Sequence, residues 1–300
     1  MARSLLAWFL FIALGPYGVA YACSCRPGTT LEQQYEQADN ILIAKISGCT
    51  PARLSADGSC RAHGWTFDTI EDLKGSHAAV KTQPFDAGPV MSTCDLSLKV
   101  GETYLLFLSD GRTGQCSGTR PLGDEVVADE IEVLRAYRDG AITRVTSAWH
   151  FADNGSMCTI RHQLPDVSMT FNYQYQRSQM ELAQGADALT RPILNMTLMP
   201  SAAFDFAGPT LLEVDGKSVP LTRITGRLPR SVDIVTGDAV MELLDAMTHS
   251  VEVVVSGERS TYIAPSKHIG PVQTFRATTR TDLIEKAAGA FKACVEAHPR

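Results

Sequence analysis

Ala20-Tyr21-Ala22-Cys23-Ser24-Cys25-Arg26-Pro27 sets the terms on which the rest of the chain is read. Residues 1–22 have the layout of a secretory signal: a cation at Arg3, an apolar run from Leu5 to Leu14, and Ala20-Tyr21-Ala22 as a small-residue cleavage site. Cutting there makes Cys23 the first residue. Its free α-amine and its own carbonyl then form a compact chelating pair, which bridges from Cys23 and Cys25 would hold rigidly at the surface. Such a start is either a chemical warhead or a structural staple.

The sequence has 300 residues, so 278 remain after the cut, enough for two domains of ordinary size. The signal carries one basic and no acidic residue, so the net charge of −6 becomes −7 in the mature chain, with no run of lysine or arginine; nucleic acid is not an expected partner. No later apolar stretch approaches the roughly 20 residues of a membrane-spanning helix. The expected location is therefore exported, periplasmic or extracellular, with a bacterial envelope favoured. Lipidation of Cys23 would make the chain an outer-membrane lipoprotein instead, although Ala20-Tyr21-Ala22 makes a poor lipobox and a lipidated Cys23 could form no disulfide. All eight cysteines (Cys23, Cys25, Cys49, Cys60, Cys94, Cys116, Cys158, Cys294) lie beyond the cut, and an even count in an exported chain points to disulfides rather than to zinc. No cofactor is expected.

The first half alternates β-like runs with turns. Asn40 to Ser47, Gly64 to Leu73, Ala79 to Gln83 and Tyr104 to Ser109 are strand candidates, and Thr30 to Ala38 is a short helix. Gly123 to Asp139 spaces Val126, Val127, Ile131 and Leu134 along one helical face, with Gly140 as its stop signal. From Thr146 the pattern restarts, with runs at Met157 to His162, Val167 to Gln176, Gln179 to Ala183, Ile193 to Met199 and Thr210 to Val214. Asp215-Gly216 then forms a hairpin signal before Lys217 to Leu221. Helices are expected at Asp238 to Met247 and Asp282 to Ala297, around a strand at Val251 to Val255. Cys158 and Cys294 can pair, binding the end of the chain back onto the sheet. The expected class is mainly β, with domains at 23–138 and 146–300, the second β-rich α+β.

Four segments stand in a particular order: Cys23-Ser24-Cys25-Arg26-Pro27, Ala38 to Ile46, Thr93-Cys94-Asp95 to Leu106, and Cys116. In that order and spacing the chain from Cys23 to Tyr137 resembles the inhibitory domain of the tissue inhibitors of metalloproteinases, within the wider netrin-like group. The resemblance implies a disulfide-stapled OB-fold, a five-stranded barrel. It also implies bridges Cys23–Cys94 and Cys25–Cys116, while Tyr35 stands where the family has a further cysteine and Cys49–Cys60 would close a local loop instead. Read from the sequence alone, the connectivity stays open. In that family the first residue's amine and carbonyl chelate the catalytic zinc of a protease. By position, Cys23 would be the chelator, Ser24 the pocket residue, and Arg26 would continue a binding ridge through Cys25. Ser92, Thr93, Cys94 and Asp95 would form the second contact strip. A catalytic zinc keeps a position open for such a ligand. The partner is then a protein, in the sharpest version a zinc metalloprotease. The alternative is a non-inhibitory envelope scaffold or assembly protein in which Cys23 is only a staple or a lipid anchor. The second half, through Trp149, Gly155 to Ile160 and a closing helix from Phe275 to Cys294, resembles bacterial periplasmic proteins of the invasion-associated locus B type; that likeness implies an envelope location and no chemistry.

No enzyme is expected. Gly114-Gln115-Cys116-Ser117-Gly118 has the outline of a nucleophile elbow but lacks the strand and helix that such an elbow needs. The seven histidines are scattered, and His150 and His162 approach each other only if a hairpin near Asp153 brings them together. Asp124, Glu125, Glu130 and Glu132 read as acidic residues complementing a helix start. Trp65 reads as core, and Met157, Met169, Met180, Met196 and Met199 as filling of the second core. With no converging polar groups on display, a small-molecule ligand is not expected.

Overall fold

The computed structural model describes residues 29–50, 64–75, 98–113, 117–176, 192–201, 204–224, 231–263, 267–268 and 271–299. The first helix, α1 (Leu31–Gln37), opens with a capping box. Thr30 Oγ1 accepts from the Gln33 amide at 3.3 Å and Gln33 Oε1 accepts from the Thr30 amide at 3.2 Å. Its last carbonyls are closed by Lys74, whose Nζ donates to the Tyr35 and Ala38 oxygens at 2.6 and 2.7 Å.

Strands β1 (Asn40–Thr50), β2 (Gly64–Lys74), β3 (Thr103–Leu108) and β4 (Arg120–Pro121) form one antiparallel sheet in the order β2-β1-β3-β4. Apolar residues run almost unbroken along β1 because both of its faces are covered. Ile41 and Ile43 join Leu105 and Phe107 under Val127, Ile131 and Leu134 of helix α2 (Glu125–Arg138). Leu42, Ala44 and Ile46 pack on the other side with Trp65, Phe67 and Leu106, so Trp65 is core. The expected closed barrel is not what the described strands build. They form an open sheet, which ends at β4 because Pro121 has no amide hydrogen to extend the ladder. The strand expected at Ala79 to Gln83 lies outside the described residues.

After α2, Gly140 takes φ +77°, as a helix stop requires. The second half holds two further antiparallel systems. In the first, β5 (His150–Asp153), β6 (Met157–Leu164), β7 (Val167–Gln174), β8 (Ile193–Pro200), β12 (Thr222–Ile224) and β13 (Val232–Thr236) lie in the order β12-β13-β8-β7-β6-β5. The other is built on the long strand β14 (Glu252–Ile263). It is flanked by β9 (Phe204–Phe206), by β10 (Leu211–Val214) with its hairpin partner β11 (Lys217–Val219), by β15 (Lys267–His268) and by β16 (Gln273–Arg280). Helices α3 (Ala239–Thr248) and α4 (Ile284–Ala297) share one core with both sheets, drawing on Ile160, Phe171 and Met196, on Val253, Val255 and Ala277, and on Leu244 and Phe291. The chain is therefore β-rich α+β, as its alternation implies.

Three expectations need correction. The helix expected at Asp282 to Ala297 is present from Ile284, but the start near Phe275 that the resemblance implies is not, because residues 273–280 alternate buried Phe275, Ala277 and Thr279 with exposed or half-buried neighbours and pair along β14. Of the methionines expected to fill the core, Met169 and Met196 do so; alternation along β8 turns Met199 outward, 41% exposed, and Met157 is half-buried. Val126 stands off the buried stripe of α2, 36% exposed. Met180 and the strand expected at Gln179 to Ala183 lie outside the described residues. Cys158 and Cys294 form a disulfide that fastens α4 to β6, with Cα atoms 6.5 Å apart. Among the described residues no helix is long and apolar enough to cross a membrane.

Candidate functional site: a cleft between the two halves

The residues expected to form a protease-binding ridge and strip, namely Cys23, Ser24, Cys25, Arg26, Ser92, Thr93, Cys94 and Asp95, lie outside the described residues. So do Cys60, Cys116 and the Cys49 side chain. Polar groups from distant parts of the chain converge elsewhere, where α1, β4 and α2 meet the β5–β6 edge of the second half. A cleft of about 350 Å³ opens there, lined among others by Gln34, Arg120, Val126, Glu130, His150 and Arg161. The sequence displays no such convergence, because the walls come from three separate segments, around Thr29 to Gln34, Arg120 to Glu130 and Ser147 to Ser168, that only the tertiary fold brings together.

Glu130 is the central group on the first-half wall. It stands three residues after Val127 and four before Leu134, on the apolar stripe of α2, and is only 8% exposed. A guanidinium nitrogen of Arg120 lies 2.6 Å from Glu130 Oε2 and also donates to Gln34 Oε1 at 3.1 Å. The contact with Glu130 is an ion pair that lacks hydrogen-bond alignment, so Oε2 remains a buried acceptor without a hydrogen bond, and the buried Nε of Arg120 likewise has none. Burial pushes the Glu130 carboxyl up to about 7; Arg120 opposes this, and the nearby Asp124 and Asp129 reinforce it. The helix-start explanation therefore holds for Asp124, whose Oδ1 accepts from the Val126 amide at 3.1 Å, and for Glu125 in the first turn, but not for Glu130. A carboxylate on an apolar stripe was the signal available in the sequence.

The opposite wall is the polar face of β5 and β6. His150 stands directly across from Arg161 in the ladder, which puts His162 one residue out of step and on the other face. The two histidines therefore have separate surroundings. His150 Nδ1 lies 2.7 Å from Asp129 Oδ2 on α2. His162 is fully buried, stacked on Trp149 with centroids 3.9 Å apart, with Nε2 2.8 Å from Thr279 Oγ1. Burial holds its imidazole well below the ordinary range, at about 4, against the opposing effect of the Ala148 carbonyl. Arg161 is exposed and forms no ion pair among the described residues.

The same edge joins the halves. Lys286 of α4 reaches Asp129 at 3.2 Å and Glu132 at 2.5 Å, and Leu283 packs against the first-half core. Chemically, the cleft offers cations, a carboxyl able to exchange a proton near neutrality, and the outer nitrogen of a carboxylate-oriented imidazole. Among the described residues, neither His150 nor Glu130 is hydrogen-bonded to a hydroxyl or thiol. Asp153 lies beside the Cys158–Cys294 bridge, but sulfurs bonded to each other present no thiolate to a metal.

No family model matches the chain, and no curated protein does. Among solved structures it is similar to invasion associated protein B from Bartonella henselae, with 10% identity and a TM-score of 0.25 over 50% of this chain and 99% of that one. At that TM-score the two folds do not superpose as wholes, and the functional reading below rests on geometry.

Proposed function

We propose that this chain is an exported, non-catalytic interaction protein of the bacterial envelope, in which the cysteines at its mature start are structural staples. One observation supports this: ionisable groups at the junction are spent on holding the halves together. Asp129 takes both His150 and Lys286, and Glu132 takes Lys286 again. A body fixed in this way presents a preformed surface, which lowers the ordering cost of binding a partner.

Two arms test the proposal. A photo-crosslinking residue placed at exposed Asn154 on the cleft rim is expected to give a discrete protein adduct in the envelope that the same residue at Lys217, on the distant hairpin, does not give. Equal labelling from both positions contradicts the role. The mature protein is then added to a panel of zinc proteases, with and without an extra alanine before Cys23. No inhibition by either form is the expected result. Inhibition that the added alanine abolishes would replace the scaffold role with its finer alternative, chelation of a protease zinc by the Cys23 amine and carbonyl.

A further inference from the structure

We infer that the cleft between the halves is a binding site for a small organic acid that also carries hydrogen-bond donors, such as a dipeptide or a sugar acid. This goes beyond the interaction role and does not depend on it.

Charge is the first ground. Among the described residues, two guanidiniums and one carboxylate line the cleft. Arg161 is exposed and has no acidic partner among the described residues, while Arg120 already shares its charge with Glu130. An uncommitted guanidinium in a concave site is suited to a carboxylate, because its planar fork of donors matches the two oxygens.

Unspent hydrogen-bonding capacity is the second. Asn154 and Gln163 both line the cleft. Among the described residues the Asn154 side chain is bonded only through its Oδ1 and that of Gln163 only through its Nε2, which leaves an amide donor on the first and an acceptor on the second. An acid that carries hydroxyl or amide groups of its own can use both, which a simple anion cannot. His150 adds a further polar contact from the second half: Asp129 engages its Nδ1, leaving Nε2 as the outer nitrogen.

Size is the third. About 350 Å³ is at the lower end of small-molecule sites and suits a dipeptide or a monosaccharide acid. The walls come from both halves, so a ligand would bridge them.

The test is isothermal titration of the full mature chain with L-alanyl-L-alanine and with D-glucuronate, each against a counterpart that lacks the carboxylate, L-alanyl-L-alanine amide and D-glucose. Saturable one-site binding of at least one acid is expected, and whichever acid binds identifies the source. Arg161→Ala is expected to weaken it at least about tenfold and Arg161→Glu to abolish it, because Arg161 is exposed and its loss leaves the fold intact by circular dichroism. Glu130→Gln is expected to weaken the dipeptide more than the sugar acid, since an ammonium needs the carboxylate more than a hydroxyl does. Lys217→Ala, on the distant hairpin, is expected to change nothing. The inference is overturned if neither acid saturates the protein below about 10 mM, if the counterparts without a carboxylate bind equally well, or if Arg161→Ala leaves the affinity unchanged.

Discussion

Glu130 and His162 sit within one region of the molecule, and burial moves their proton affinities in opposite directions. The folded chain keeps a proton on Glu130 that an unfolded chain releases between its ordinary 4.5 and about 7, so Glu130 costs stability as pH rises through that window. His162 refuses a proton that the unfolded chain takes up between its ordinary 6.5 and about 4, so it costs stability as pH falls. Each effect is on the order of 3 kcal/mol, and between pH 4.5 and 6.5 they oppose one another. Urea titrations of the native chain are therefore expected to give a nearly flat stability profile there. Glu130→Gln should expose a profile that falls toward acid, and His162→Gln one that falls toward alkali. Parallel profiles for the two variants would contradict the assignment. Of this pair, only Glu130 left a signal in the sequence, its place on an apolar stripe, and that signal is masked by the acidic residues around it, with which it reads as part of a helix start. His162 gave no sign, because its stacking on Trp149 and its bond to Thr279 depend on strand register and on a partner more than a hundred residues away.

At the level of elements, periodicity and turn chemistry did most of the specifying. The Asp215-Gly216 turn takes φ of +47° and +75°, the left-handed pair that a tight hairpin needs, and joins β10 to β11 as its sequence implies. Asp215 Oδ1 also accepts from the Val251 and Glu252 amides at 3.1 and 3.3 Å, so the turn holds the start of β14. Asp215→Ala is expected to cost about 1 to 2 kcal/mol in chemical denaturation; no change would show that the turn and strand are independent. The short strands β9, β12 and β15 were not readable, since two or three residues carry no alternation. β16 does alternate, yet only the resemblance reached it, and it implied helix there, whereas the periodicity read directly begins the last helix at Asp282, within two residues of its start at Ile284. The Cys158–Cys294 bridge closes a span of 136 residues between β6 and α4. Replacing both cysteines with serine should lower stability by about 3 to 5 kcal/mol on the chain-entropy account. A loss below 1 kcal/mol would mean that the packing of Phe291 and Ala287 already fixes the helix.

Over the whole molecule, what matters is how the halves meet. Each half has its own core, and alternation foretold a β-rich chain, but nothing in the sequence foretold how the halves meet. Docking depends on complementary side chains that no local pattern pairs, among them Asp129 and Glu132 with Lys286, more than 150 residues on, and Asp129 with His150 on the next strand. Since Lys286 is largely exposed, its ion pairs add little to stability; their worth is in fixing the orientation that opens the cleft. The most direct measurement is zero-length carbodiimide crosslinking of the native chain, with the linked peptides mapped by mass spectrometry. A bond between Lys286 and Glu132 or Asp129 is expected, at a yield comparable to that of Lys292 with Asp245, an ion pair wholly inside the second half. Recovery of the Lys292–Asp245 link with no link from Lys286 to α2 would contradict the junction, and with it the cleft.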